Sequence, residues 1–186
     1  HKNIESIPGL EVITDIKERD EKYMWIGTAN GLYLLEKATG KYRYITLPIE
    51  SSYIYSLYQA PNGLLYIGTN NSGLLIYDPA RQNFEHYHKD NCALISNNIY
   101  TILPRQDGSL LMGTENGITI YSPEEHFFRN WTREQGLMSV CFNAGAATQY
   151  GDSLVFGSND GIVIFPVDLQ IPVPQFSQML LRDFAV

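Results

Sequence analysis

Short apolar runs alternate with polar turns along the chain, and one arrangement of run and turn occurs four times. Each copy has an apolar run ending in Gly-Thr or Gly-Ser, then a polar turn, then a second apolar run. The copies read WIGTANGLYLLE, YIGTNNSGLLIYD, LMGTENGITIYS and VFGSNDGIVIFP. The first glycine of each copy follows the preceding one after 41, 45 and 44 residues, at Gly27, Gly68, Gly113 and Gly157. This spacing identifies an internal repeat.

Further apolar runs flank each copy, such as EVITDIKE before the first copy and KYRYIT after it. Runs of about four to eight residues rich in Val, Ile, Tyr and Phe, separated by Asn-Gly or Asp-Gly, are typical of antiparallel strands. We expect type I′ turns, in which both central residues have positive φ. The candidate turns are Asn30-Gly31, Asn62-Gly63, Asp107-Gly108, Asn116-Gly117 and Asp160-Gly161.

Four strands in roughly 40 to 45 residues predict one blade of a β-propeller. The sequence therefore predicts an all-β chain of about four four-stranded antiparallel blades, at about 9–50, 51–92, 93–134 and 135–170, which together make residues 1–170 a propeller. The second and third runs of each unit are apolar on both faces, as strands between neighbouring blades must be. The glycine of each Gly-Thr or Gly-Ser pair is expected either to let the next blade approach closely or to permit a backbone bend at the end of the strand.

The composition argues against several classes of partner and structure. A hydrophobic content of 44% with 18% charged residues indicates a folded chain of 186 residues. The net charge of −7, without a run of Lys or Arg, argues against nucleic acid and anionic membranes as partners. No apolar stretch is long enough to span a bilayer, and two cysteines cannot form a disulfide framework. The chain opens on His1 rather than Met, so we expect a segment of a longer protein.

Antiparallel connectivity sorts the loops onto two faces. The loops between second and third strands share one face with the connections between blades; we name this the connection face, and the opposite one the tight-turn face. The connection face has the more varied and polar loops, so a ligand site is predicted there. Amide and carboxylate groups beside aromatic rings suit sugars, although turns and strand ends also use these residues. The candidate binding residues are Asn30, Tyr53, Asn70, Asn71, Asn98, Glu115, Asn116, Asn159 and Asp160.

The sequence gives only weak indications of metal binding, nucleotide binding or catalysis. His86 and His88 alternate onto one face of a strand and could be half of a metal site, but no third ligand is evident, so neither a metal nor another cofactor is predicted. The glycine-rich turns lack the P-loop and dinucleotide motifs, and no G-x-S-x-G is present. Glu115 and Asp160 lie in equivalent loops of adjacent blades and are the carboxylate pair that a sugar-cleaving propeller would need.

The repeat resembles the regulator-propeller repeat of hybrid two-component sensors, which are abundant in glycan-degrading gut bacteria. Three copies match well, at 25–44, 64–87 and 110–131. The segment from Gln135, in which Phe replaces Trp and the unit ends in Phe-Pro, is similar to the final blade of that family. Residues 171–186, including VPQFSQMLLRDFAV, resemble a linker and the opening of the immunoglobulin-like β-sandwich module that adjoins such propellers.

The resemblance implies a periplasmic segment of an inner-membrane sensor with seven-bladed propellers, a membrane helix and a histidine kinase. It also implies that the segment recognises an oligosaccharide, without turnover, and relays binding through the geometry of a homodimer. This segment itself would not contact the membrane. Three full units and most of a fourth make about half of a seven-bladed ring, so either further blades are missing or two arcs pair. A propeller-type carbohydrate lyase or hydrolase, and a purely structural interaction module, stay open as alternatives.

Overall fold

The structure, a computed structural model, describes residues 10–170, and these form four antiparallel sheets whose strands follow chain order. Blades 1 to 3 have four strands each. Blade 4 has three strands within the described residues. The strands are β1 Ile13–Glu18, β2 Tyr23–Thr28, β3 Gly31–Glu36, β4 Tyr42–Ile45, β5 Ile54–Gln59, β6 Leu65–Thr69, β7 Leu74–Asp78, β8 Asn83–Tyr87, β9 Thr101–Pro104, β10 Leu110–Thr114, β11 Gly117–Ser122, β12 Phe127–Trp131, β13 Phe142–Tyr150, β14 Ser153–Ser158 and β15 Gly161–Pro166.

The sheets pack face to face, and each contact between neighbouring blades holds its own apolar core. Trp25 and Leu32 of blade 1 meet Leu75 and Tyr77 of blade 2 in the first core. Corresponding cores join blade 2 to blade 3 and blade 3 to blade 4. The all-β propeller prediction is therefore confirmed, while the predicted β-sandwich opening at 171–186 lies outside the described residues.

Each blade has two packing faces because successive side chains of a strand point to opposite sides. We call the face towards the next blade in the chain the forward face, and the other the backward face. In blade 1 the forward face carries Trp25, Leu32 and Leu34, all buried in the first core. In blade 2 the backward face carries Ile67 and Tyr77, which pack into the same core.

The glycines in the second strands are sites of close approach between blades. A Cβ added at Gly27 would lie 2.9 Å from Ile54 Cγ2 of the next blade. A Cβ added at Gly68 would lie 2.6 Å from the carbonyl oxygen of Ile99, which is backbone and cannot move aside. The predicted packing role of these glycines is confirmed at both positions.

The prediction of type I′ turns is wrong in its detail. The glycines at 31, 63, 108, 117 and 161 have positive φ, but the Asn or Asp before each does not. At the turn after β5, the N–H of Gly63 donates to the carbonyl of Ala60, so Pro61 and Asn62 are the central residues and glycine follows them. A turn of ordinary hand followed by a left-handed glycine reverses the chain as effectively as the mirror-image turn.

Candidate functional site

The connection face brings five of the nine candidate residues into one bonded group. The N–H of Asn70 donates to the carbonyl of Tyr53 at 2.9 Å, which joins the β6–β7 loop to the start of β5. The N–H of Asn71 donates to Oδ1 of Asn98 at 2.8 Å, which joins the same loop to the start of blade 3. Glu115 completes the group by accepting from Asn98 Nδ2 at 3.1 Å.

Glu115 is held in place through one of its carboxylate oxygens. Oε1 accepts hydrogen bonds from Asn98 Nδ2 and from Ser96 Oγ, the latter at 2.7 Å. Oε2 is buried and has no hydrogen-bond partner among the described residues. A buried carboxylate oxygen without a donor is costly, so this atom marks a place where a ligand hydroxyl or an ordered water would be stabilising.

Three tyrosine rings form a row on the same face, and two of them are near enough to Glu115 for its charge to act on their hydroxyls. The rings of Tyr53 and Tyr55 are 5.0 Å apart, and those of Tyr55 and Tyr100 are 4.9 Å apart in an edge-to-face arrangement. Burial raises the pKa of Tyr55 and of Tyr100, and the negative charge of Glu115 raises both further. Both hydroxyls therefore stay protonated near neutral pH and can donate hydrogen bonds.

Tyr55, Tyr100 and Ser96 were not among the sequence candidates. Tyr55 follows the buried Ile54, and Tyr100 follows the buried Ile99, so the two tyrosines occupy the same position of successive repeats. That coincidence was the available signal. The sequence did not show which rings would be in contact, because the contact joins two different blades.

The other four candidates have bonds typical of turns. The backbone N–H groups of Asn30 and Asn116 each donate at 3.0 Å to the hydroxyl of the threonine two residues earlier, and both side chains are exposed. Asn159 Nδ2 lies 3.1 Å from Cys141 Sγ. Asp160 accepts from Ser139 Oγ at 3.0 Å, and Arg133 lies 3.6 Å away.

The two carboxylates considered for sugar cleavage have separate surroundings. Glu115 is bonded to residues of the connection that leads into blade 3. Asp160 is bonded to residues of the connection that leads into blade 4. The hydrogen bonds of the described residues therefore attach each carboxylate to a different connection between blades.

The two histidines line an open cleft of about 350 Å³ on the connection face, together with Asn71 and Asp90. Their rings are 4.9 Å apart, His86 Nε2 lies 2.6 Å from the carbonyl of Ser72, and His88 Nδ1 lies 3.5 Å from Asp90 Oδ2. No group of three or more potential ligands that could hold a metal ion occurs in residues 10–170. Cys92 and Cys141 are both free thiols.

The tight-turn face has a concavity of its own, of about 360 Å³, between blades 2 and 3. Tyr58, Tyr66 and Arg105 line it. Arg105 is engaged elsewhere, since its side chain donates to the carbonyls of Val167 and Leu169. No candidate residue of the sequence analysis lines this cleft. Within residues 10–170 there is also no helix long and apolar enough to cross a membrane.

Comparison with known proteins supports the resemblance seen in the repeat. Residues 48–71 match the family model described as two component regulator propeller, which confirms the resemblance over that stretch. No curated protein matches the chain.

Solved structures share the fold. The extracellular domain of a hybrid two component system from B. thetaiotaomicron superposes with a TM-score of 0.71 at 19% identity, over 86% of this chain and 24% of that chain. The extracellular domain of a one component system from the same organism gives 0.67 at 23% identity, over 82% and 21%. The computationally designed Ika4 protein gives 0.61 at 13% identity, over 87% and 95%. This chain therefore spans about a quarter of the two bacterial domains.

Proposed function

We propose that this chain is the extracytoplasmic, ligand-sensing part of a two-component regulator and that it binds an oligosaccharide on its connection face. The residues that we assign to binding are Tyr53, Tyr55, Asn98, Tyr100 and Glu115, which we call the Tyr–Glu cluster. The observation that carries the proposal is the buried, unpartnered Oε2 of Glu115, together with three tyrosine rings whose neighbouring centroids are 4.9 to 5.0 Å apart.

The chemistry of this cluster suits a sugar. Aromatic rings present apolar faces to the C–H groups of a pyranose, and the tyrosine hydroxyls hydrogen-bond its rim. A carboxylate accepts strong hydrogen bonds from sugar hydroxyls because it is charged. Ser96 and Asn98 hold Glu115 before any ligand arrives, so little ordering entropy is lost on binding.

The comparisons support the sensor part of the proposal. The two bacterial proteins are extracellular domains of two component and one component systems by name, and residues 48–71 match a regulator-propeller model. We extend this to a periplasmic segment of an inner-membrane protein that binds without turnover and relays binding through a homodimer. The names of those proteins mention no sugar, so the oligosaccharide rests on the cluster alone.

Calorimetric titration of the purified chain with a panel of oligosaccharides tests the proposal. We expect one sugar class to bind and Tyr100→Ala to weaken it by on the order of tenfold or more, because an aromatic anchor is lost. Tyr150→Ala is the matched control: Tyr150 is 81% exposed and lies on blade 4, outside the cluster, so its loss should leave affinity unchanged. Equal effects of the two variants would contradict the assignment.

An activity assay on the same sugars separates the alternatives. Glu115→Gln keeps the acceptor oxygen that Ser96 and Asn98 use but removes the charge. If the chain were a lyase or hydrolase, products would accumulate with the wild type and disappear with this variant. If no sugar of the panel bound, the chain would instead be an interaction module, and the proposal would fail.

A further inference from the structure

The histidine pair and the extra residue of the second repeat have no part in the function proposed above. His86 lies in β8, and His88 follows that strand. The β6–β7 loop of the same blade reads TNNSG and is one residue longer than the TANG, TENG and SNDG loops of the other blades. Ser72 of this longer loop has its carbonyl 2.6 Å from His86 Nε2. Both departures from the repeat therefore lie at one place in blade 2.

These residues line the open cleft of about 350 Å³ on the connection face, which we call the histidine cleft. A volume of this size is at the lower end of the range for small-ligand sites. The other lining residues are Pro48, Ile49, Glu50, Asn71, Asp90 and Asn97. Two of them are carboxylates, and no Lys or Arg is among the described residues that line the cleft. Its chemistry is therefore polar and slightly acidic.

Hydrogen bonds hold the walls of the histidine cleft in place without a ligand. Asn91 Oδ1 accepts from the N–H of His88 at 2.8 Å, and Asn91 Nδ2 donates to the carbonyl of His86 at 2.8 Å. Asn97 Oδ1 accepts from the N–H of Lys89 at 2.9 Å. The backbone that carries both histidines is thus fixed before binding, so little conformational entropy is lost when a ligand arrives.

The tautomer of His86 follows from its partner. A backbone carbonyl can only accept a hydrogen bond, so Nε2 of His86 carries the proton and Nδ1 of the neutral ring is an acceptor. His88 lies 3.5 Å from Asp90 Oδ2 through Nδ1, which leaves its Nε2 without a hydrogen bond among the described residues. Each histidine therefore offers one ring nitrogen to a ligand hydroxyl.

The histidine cleft shares the β6–β7 loop with the Tyr–Glu cluster. Asn71 lines the cleft, and its N–H donates to Asn98 Oδ1 at 2.8 Å. Asn98 in turn donates from Nδ2 to Glu115 Oε1 at 3.1 Å. Two hydrogen bonds therefore separate a wall of the cleft from the carboxylate that we assign to sugar binding. A ligand longer than a single sugar can contact both.

We propose that the histidine cleft is a second sugar subsite and that the ligand is an uncharged oligosaccharide, with one unit at the Tyr–Glu cluster and a neighbouring part of its chain in the cleft. This inference rests on the function proposed above. An imidazole has an apolar ring face for the C–H groups of a sugar and a polar nitrogen for its hydroxyls. The carboxylates of Glu50 and Asp90 accept from sugar hydroxyls and repel a sugar that carries a carboxylate of its own.

Calorimetric titration with sugars of increasing length tests the inference. The uncharged probes are glucose, xylose and mannose with their β-1,4-linked di-, tri- and tetrasaccharides, and the charged probes are galacturonic acid and its oligomers of the same lengths. In one uncharged series we expect affinity to rise by about tenfold from the monosaccharide to the tetrasaccharide, the factor that one or two added hydrogen bonds supply. The galacturonate series should bind more weakly at every length.

Three variants locate the gain in affinity. His88→Ala should remove it and leave the affinity for the monosaccharide unchanged, because only the longer chain reaches the cleft. Tyr100→Ala should weaken sugars of every length, because it belongs to the Tyr–Glu cluster. His126→Ala is the matched control and should change no affinity, since this histidine is exposed in the turn between β11 and β12 on the tight-turn face.

Proton NMR of the imidazoles gives a readout that needs no variant. The tetrasaccharide should shift the ring protons of His86 and His88 and leave those of His126 where they are. The monosaccharide should leave the ring protons of all three unshifted, because it occupies only the Tyr–Glu cluster.

The outcomes separate this inference from the function on which it rests. If no sugar of any length binds, the proposed function fails and the second subsite fails with it. If sugars bind and Tyr100→Ala weakens them, but His88→Ala keeps the gain with length or no gain exists, only the second subsite is refuted. Tighter binding of the galacturonate series would refute the assignment to an uncharged ligand.

Discussion

The indole Nε1–H of Trp25 donates a hydrogen bond to Oε1 of Gln59 at 2.7 Å, across the contact between blades 1 and 2. Trp25 is fully buried, and its ring also meets Tyr77 edge to face at 5.9 Å. Gln59 in turn donates from Nε2 to the carbonyls of Ala60 and Leu64, so one amide fixes both the indole and the β5–β6 turn.

Replacing Gln59 by Leu should lower the free energy of unfolding by about 1–3 kcal/mol, since the buried indole N–H would lose its acceptor. Urea unfolding followed by circular dichroism measures the change. Gln149→Leu is the matched control, because Gln149 is the next-to-last residue of β13, donates to the carbonyl of Gly151 in the turn that follows, and is exposed. A loss of similar size at both positions would show that the bond to Trp25 contributes little.

Gly68→Ala should be among the most destabilising single-methyl additions in the chain. The new Cβ would lie 2.5 Å from Ser56 Oγ and 2.6 Å from the backbone oxygen of Ile99, so blade 3 would have to move away from blade 2. We expect a loss of about 3 kcal/mol in the free energy of unfolding, at the upper end for overpacking.

The control for that substitution is Gly63→Ala. Gly63 has φ +90°, and an added Cβ would have no atom within 4 Å. The substitution should therefore cost only the strain of a left-handed backbone, roughly 1–2 kcal/mol in the free energy of unfolding. Denaturant unfolding of both variants gives the comparison. An equal or smaller loss for Gly68→Ala would contradict the role of this glycine in blade contact.

Arg105 fastens the end of the described chain to blade 3. Its Nε donates to the carbonyl of Val167 at 3.0 Å and its Nη2 to that of Leu169 at 2.9 Å, while its Nη1 pairs with Asp107 at 3.1 Å. Its side chain is only 6% exposed. Arg105→Ala should therefore reduce the free energy of unfolding by about 2–3 kcal/mol, the range for hydrogen bonds to a charged group.

The same variant should speed hydrogen exchange at the amide of Val167, which donates to Asp152, because the segment loses its anchor. Arg133→Ala is the control: that side chain is 65% exposed and 3.6 Å from Asp160, so its loss should cost less than about 1 kcal/mol. Unchanged exchange at Val167 in Arg105→Ala would mean that apolar packing alone holds the segment.

Stability should fall at alkaline pH because of buried tyrosine. Burial, with nearby Tyr121 and Tyr58, raises the pKa of Tyr66 from 10.0 to about 12. A pKa that is higher in the folded state means that folding favours the protonated phenol, so this contribution is complete below pH 10 and is lost as the pH rises to about 12. Tyr66→Phe should make stability depend less steeply on pH in that window.

Tyrosinate absorbance against pH measures the pKa of the tyrosines, and urea unfolding at each pH measures the free energy of unfolding. Tyr150 is exposed, and Tyr150→Phe should leave the pH dependence of stability as it is in the wild type. If Tyr66→Phe had the same slope as the wild type between pH 10 and 12, the assignment of that slope to Tyr66 would be refuted.

Local sequence was enough to predict the strands and their grouping into blades. The alternation of apolar and polar residues sets which strand faces are buried, and the glycine that recurs in each second strand reports how closely the blades pack. Both features repeat with the unit, so the sequence alone showed a propeller and the role of Gly27 and Gly68. The predicted type of turn was wrong, because Asn-Gly is compatible with more than one turn geometry. At Asn62-Gly63 the hydrogen bond from the N–H of Gly63 to the carbonyl of Ala60 depends on the residues around the turn.

Only the tertiary structure decided which polar and aromatic residues meet. Tyr55 and Tyr100 are 45 residues apart in sequence, and their 4.9 Å contact depends on the angle between two blades, which strand pairing within a blade does not set. Glu115 and Asp160 lie in equivalent loops, yet each is bonded to the connection that leads into its own blade, and those connections differ in sequence. The sequence by itself determined the repeated unit, because that unit rests on hydrogen bonds between strands that are near in sequence; the candidate site followed from how successive units pack.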